Sequence, residues 1–232
     1  LIQGRGEIYI MTDKKHQLDE KLEFFRELLL QMVNRVEESL VKATAAVRDN
    51  DQQLAERVLA DDYFIDQMRT MVENDAVRLL ISEAPYGHYM RQVIAGLKIV
   101  TSLERMGDHA GHFAKIASTQ DRTNKYECEI VKDIVDMAMA DVAMFRGAVE
   151  ALMVINADMA MDVARQDDKV DAYRTSIKKK ILDADPGDDK RFSRNLFEYY
   201  YIVTELERLG DHVTTICAWI VYMDQGVKPK LN

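Results

Sequence analysis

Cysteine, proline and glycine are all scarce in this chain, at two, three and 10 among 232 residues. Cys128 and Cys217 are too few for a disulfide framework or a thiolate metal cage, which leaves a reducing, cytoplasmic setting as the expectation. Few prolines and glycines, with 47% hydrophobic and 31% charged residues, give the composition of a soluble, strongly helical protein. No apolar run reaches the roughly 18 residues that a bilayer span needs. The best stretch, 137–155, is broken by Asp141, Arg146 and Glu150. Basic charge is also short, with a formal net charge of -9 and a pI near 5.1. That balance argues against nucleic acid as the main partner and suits metal cations or basic protein patches better. Residues 1–10 contain Arg5 and Glu7 and no apolar centre, so no secretory signal is expected there. Residues 1–12 are expected to be disordered or an artificial leader outside the fold, and 227–232 a tail.

What is abundant is helical periodicity. After Asp13, apolar residues recur at spacings of three and four almost everywhere, and no stretch alternates for long with period two. Capping and turn residues cluster near Asn50 and Asp51, at 82–87, 119–123, 156–158 and 183–189, with Pro85 and Pro186 each suited to opening a following helix. The pattern predicts an all-α protein of six helices, at about 13–49, 51–82, 87–118, 125–155, 158–183 and 190–224. Single helices of this kind cannot bury their apolar faces alone, whereas three-helix bundles can. Two tandem bundles, over 13–120 and 121–226, account for both length and period.

The second half repeats the first. Residues 99–109 read IVTSLERMGDH and residues 202–212 read IVTELERLGDH, with nine of the eleven positions identical. A repeated fold requires matching apolar positions but not matching charges or a matching glycine. The repeat extends upstream, because the Asp62 and Asp66 pair corresponds to Asp167 and Asp171, at an offset of 105 against 103 for the longer segment.

On a helix, Glu104 and Asp108 lie within about 40° of each other, and so do Glu207 and Asp211. Both pairs flank an apolar stripe formed by Val100, Leu103 and Ala110 in one half and Val203, Leu206 and Val213 in the other. Like charges at this spacing destabilise an isolated helix by roughly 0.2–0.5 kcal/mol. Gly107 and Gly210 each add about 1 kcal/mol relative to alanine. Gly107 falls on the stripe, where a missing side chain lets another helix or a ligand shell come close. Pairing each ladder with Asp62 and Asp66, or Asp167 and Asp171, would gather four carboxylates. Such a cluster protonates, pairs with arginine, or binds cations such as magnesium, manganese, iron or zinc through oxygen. The plainer reading is a surface salt-bridge network built on Arg105 and Arg208. Against it, an arginine one position after a glutamate sits about 100° round the helix, poor geometry for pairing with that glutamate. His109 and His212 lie well round from the acids, where a cap or solvent contact competes with ligation. His112 is an optional ligand whose counterpart is Thr215, and His16 and His88 read as surface residues. Trp219 and Tyr199 to Tyr201 read as core and interface aromatics.

These residues resemble the PhoU family, through Leu-Glu-Arg-x-Gly-Asp-His at 103–109 and 206–212 and the Asp pairs at 62–66 and 167–171, over residues 13–226. The resemblance implies two three-helix bundles whose Glu/Asp-x-x-x-Asp motifs bind metal, as iron or zinc clusters or magnesium. Its implied metal residues here are Glu104, Asp108, Glu207, Asp211, Asp62, Asp66, Asp167 and Asp171, and the acid run at Asp167 and Asp168 leaves open which of those two is the ligand. It further implies a cytoplasmic negative regulator of phosphate uptake and of phosphate-starvation signalling. The implied partners are the ATPase of a phosphate ABC transporter and a membrane sensor histidine kinase, and a homodimer is expected. No catalytic residue is expected, and nothing in the chain resembles a nucleotide-binding loop, a nucleophile elbow or a phosphate cradle.

Two other functions compete. A ferritin-like di-metal oxidase would use Glu-x-x-His on two helices, and neither Glu104 nor Glu207 has a histidine three residues later. An accessory protein of a low-affinity phosphate transporter would have similar helices, but the two clear motif copies favour the first reading.

Overall fold

A computed structural model describes residues 3–117 and 125–231. Among these the regular structure is all helix, with no strand: α1 Gln3–Asp49, α2 Gln52–Glu83, α3 Gly87–Ala117, α4 Lys125–Val154, α5 Ala157–Ala164, α6 Asp167–Leu182 and α7 Lys190–Gln225. The all-α expectation holds. Helix α1 begins at Gln3, so the segment to residue 12 that was expected outside the fold continues the first helix. The expected break at 119–123 and the bundle boundary at 120 lie outside the described residues.

Caps fix the ends that the turn residues announce. Asp51, Asn156 and Asp189 each accept a hydrogen bond from the backbone N–H three residues on, all at 2.9 Å, satisfying donors that the first helical turn leaves open. Gly226 ends α7 in the left-handed region at φ 76°, its N–H donating to the Tyr222 carbonyl at 3.0 Å.

One expected helix is two. The predicted 158–183 helix breaks after Ala164 into α5 and α6. Around the break, Gln166 N–H donates to the Val163 carbonyl and Lys169 N–H to the Gln166 carbonyl, i to i+3 bonds that tighten the turn. No proline or glycine marks the place.

Helices α1, α2 and α3 pack on one another, and α4 packs on α5, α6 and α7. The halves join along α3 and α7, with α1 against α4. Phe25, Met32 and Val36 of α1, Ile99, Leu103 and Met106 of α3, Ile134 and Met137 of α4, and Ile202 and Val203 of α7 belong to a single buried cluster. Each such large side chain contributes about 1.5–3 kcal/mol of burial, so the two bundles share one core. No helix among the described residues is long and apolar enough to cross a membrane.

Candidate metal centres

The two glycines of the repeat are where the neighbouring helix comes in. A Cβ at Gly107 would stand 2.9 Å from Ile65 Cδ1 and 3.5 Å from Asp62 Oδ1 of α2. At Gly210 it would stand 3.0 Å from Asp167 Oδ1 of α6 and 3.3 Å from Asp141 Oδ1 of α4. The missing side chain admits Ile65 at Gly107, with the Asp62 carboxylate beside it, and the carboxylates of Asp167 and Asp141 at Gly210.

In the first half, Asp62 is half-buried and its carboxyl is pushed above the usual range, by burial first and then by Asp108, Asp66 and Glu104, with His112 opposing. Glu104 is buried. Its Oε1 accepts from Arg69 Nη1 at 2.8 Å, while Oε2 accepts no hydrogen bond and has Arg105 Nε at 3.5 Å. Asp108 is half-exposed, with Arg105 Nη1 at 3.4 Å from its Oδ2. Asp66 is exposed. Arg105 thus does reach Glu104, though at a longer distance than Arg69 of α2 does.

The second half repeats the arginine and changes the acids. Glu207 meets Arg174 Nε at 2.7 Å and Lys178 Nζ at 3.5 Å. Arg174 follows Asp167 by seven residues, as Arg69 follows Asp62. Asp167 faces inward beside Gly210, whereas Asp168 and Asp171 are exposed, Asp171 with Arg174 Nη1 at 3.5 Å. That arrangement selects Asp167 over Asp168 as the inner acid. Asp211 is exposed and lines a pocket together with Lys228 and Lys230 of the C-terminal tail.

Asp141 was no part of the expected set. It is 1% exposed, neither of its oxygens has a hydrogen-bond partner, and burial followed by the Asp167 charge raises its carboxyl well above the ordinary value. Its signal in the sequence is an acid inside the most apolar stretch of the chain. A buried carboxylate with nothing to bond is costly unless protonated or bound to a cation. Two inward acids beneath a helix glycine, with a third on the next position, fit an ion bound through oxygen. Asp62, Glu104 and Asp108 fit the same chemistry in the first half.

The histidines lie elsewhere than expected. His109 points away from the ladders, yet α7 covers that side, so its ring is buried rather than solvated. Its Nδ1 donates to Glu205 Oε2 at 2.9 Å, and His112 Nδ1 donates to the same oxygen, also at 2.9 Å. His212 stacks on His109 at 5.5 Å between ring centroids. Burial, then the charges of His109 and Arg105, lowers the His212 pKa to about 4. Glu205 is 1% exposed; burial raises its carboxyl, but the bonds and charges of His109 and His112 outweigh that and bring it below the usual range.

Comparison with known proteins identifies the family. The PhoU domain model matches residues 29–117 and again 134–220. A PhoU homolog of the phosphate-specific transport system of Clostridium acetobutylicum is 30% identical over 223 residues, covering 96% of this chain and all of the relative. The crystal structure of the phosphate transport system regulatory protein PhoU from Streptococcus pneumoniae superposes with a TM-score of 0.82 at 26% identity, over 92% of this chain and 99% of that one. PhoU from Pseudomonas aeruginosa superposes with a TM-score of 0.81 at 27% identity, over 90% and 99%. With two matched copies covering most of its length, the chain belongs to the PhoU family.

Proposed function

We propose that this chain is a metal-bearing accessory protein of a phosphate transport system, a negative regulator of uptake and of phosphate-starvation signalling rather than an enzyme. The role in phosphate transport is supported by relatives named phosphate-specific transport system accessory proteins. The observation that carries the metal reading is the pair of carboxylate clusters beneath Gly107 and Gly210, above all the unpartnered Asp141 beside Asp167. The first centre uses Asp62, Glu104 and Asp108, with Asp66 at its rim. The second uses Asp141, Asp167 and Asp211, with Asp171 and Glu207 at its rim. Iron, zinc, magnesium or manganese is the ion class, held between α2 and α3 in the first centre and among α4, α6 and α7 in the second, so that like charges no longer repel.

The protein acts in the cytoplasm, as a homodimer, on the ATPase of a phosphate ABC transporter and on a sensor histidine kinase. Exposed aromatic residues such as Tyr63 and Phe64 on α2 and Phe197 on α7 support a role built on protein contacts. The test combines metal analysis of protein purified without chelator with phosphate uptake in cells. Wild type carries bound metal and restrains uptake. The Asp62→Asn, Asp108→Asn, Asp167→Asn, Asp211→Asn variant loses the metal held by these carboxylate clusters and, with it, restraint. A metal-free wild type, together with a variant that restrains uptake normally, would overturn the proposal.

A further inference from the structure

The two copies of the motif are unequal at the seam between the bundles. Within the eleven-residue repeat the only polar mismatch is Ser102 against Glu205, and just beyond it His112 stands against Thr215. Those two departures, together with the shared His109, converge. His109 and His112 lie three residues apart on one face of α3, Glu205 projects from α7, and both Nδ1 atoms point at the same oxygen, Oε2. One ligand atom from each of the three residues lies within 4.8 Å of the other two. The repeat-related positions, Ser102, His212 and Thr215, offer no carboxylate and one imidazole, so the arrangement occurs in one copy.

We propose that His109, His112 and Glu205 form a site for one borderline divalent ion of the zinc class, bridging the two bundles and separate from the carboxylate centres. Imidazole nitrogen and carboxylate oxygen at about 2.0–2.2 Å are the ordinary ligands of such ions. A tetrahedral ion at that distance sets its ligand atoms about 3.3 Å apart. The present separations, two of 2.9 Å and none above 4.8 Å, bracket that value. Binding replaces two Nδ1–H to carboxylate hydrogen bonds by coordination, and each ring passes its Nδ1 proton to its own Nε2 by way of solvent, so that the coordinating imidazole stays neutral.

The surroundings suit it. Arg208 Nη1 holds the other carboxylate oxygen, Oε1, at 3.0 Å, which fixes Oε2 toward the rings in the manner of an outer-shell partner. His109 and Glu205 are buried, while the His112 side chain is 53% exposed, giving the ion a way in and a place for water as fourth ligand. Three protein ligands with one open position is a regular coordination pattern for zinc. The site does not depend on the carboxylate centres, because it shares no ligand with them.

The experiment uses the full chain, stripped with chelator and titrated with zinc, with zinc-edge X-ray absorption to identify the ligands. In the Asp62→Asn, Asp108→Asn, Asp167→Asn, Asp211→Asn background one zinc still binds, with two imidazoles around it. His112→Ala, a change at an exposed side chain that leaves the helical circular dichroism intact, weakens that binding at least about tenfold, the scale of loss that even outer-shell changes bring. Glu205→Gln weakens it likewise. Absence of zinc in that background, an oxygen-only ligand shell, or unchanged affinity after His112→Ala would each overturn the proposal and reduce the cluster to a hydrogen-bonded bridge. Failure of the carboxylate centres would show instead as magnesium or manganese binding unaltered by the four aspartate changes.

Discussion

Asp141 and His212 are two residues whose ionisation the fold opposes. With its oxygens unbonded among apolar neighbours, Asp141 destabilises the metal-free protein at neutral pH. The family match starts at residues 29 and 134, an offset of 105, and the same offset takes Asp141 to Val36, which is fully buried. Asp141→Val should therefore raise the stability of the metal-free protein by about 1–3 kcal/mol while weakening the second centre. Calorimetry at pH 7 in chelator checks this, and a lowered midpoint would speak against it. His212 works in the opposite sense. Its pKa falls from an ordinary 6.5 to about 4 on folding, so its contribution is complete above pH 6.5 and is lost as pH falls toward 4. Wild type should lose stability across that window more steeply than His212→Gln, and parallel curves would contradict the assignment. At this scale the sequence made the ladders legible, since spacing alone places Glu104 with Asp108. It also held Arg69 and Arg174 at matched positions seven residues after Asp62 and Asp167. It could not show that α7 covers His109, because which face of α3 meets the other bundle is a tertiary fact.

Among the elements, α3 and α7 carry a helix-weakening glycine at the same slot for the sake of what lies opposite. Replacing Gly210 by alanine gains about 1 kcal/mol of helix propensity but sets a methyl 3.0 Å from Asp167 Oδ1 and 3.3 Å from Asp141 Oδ1. Gly210→Ala should leave the thermal midpoint nearly unchanged and lower metal affinity at the second centre by about tenfold, comparable to the loss of an outer-shell contact. Isothermal titration of wild type against variant measures this directly, and equal affinities would mean that the gap serves only helix packing. Helix existence and the caps at Asp51, Asn156 and Asp189 followed from turn residues and period. The division of the predicted fifth helix into α5 and α6 did not, because Arg165 and Gln166 are ordinary helix formers and carry no turn signal.

For the whole molecule, the shared core along α3 and α7 makes the two bundles one cooperative unit. Unfolding should occur in a single transition whose calorimetric and van't Hoff enthalpies agree, whereas two resolved transitions would mean the bundles fold separately. Glu205→Ala strips α7 of the acceptor for both His109 and His112 and should cost about 2–3 kcal/mol, read as a shift of that single transition. The duplication and the bundle architecture were legible from the repeat. The join between the halves was not, because which faces of α3 and α7 meet is a matter of tertiary packing. The central claim, that the doubled motif builds two cation centres, is tested most directly by a crystal grown in manganese or iron and measured at the metal absorption edge. Two sets of anomalous peaks are predicted within about 2.0–2.6 Å of carboxylate oxygens, one among Asp62, Glu104 and Asp108 and one among Asp141, Asp167 and Asp211. Ordered side chains at both places with no anomalous peak would contradict it.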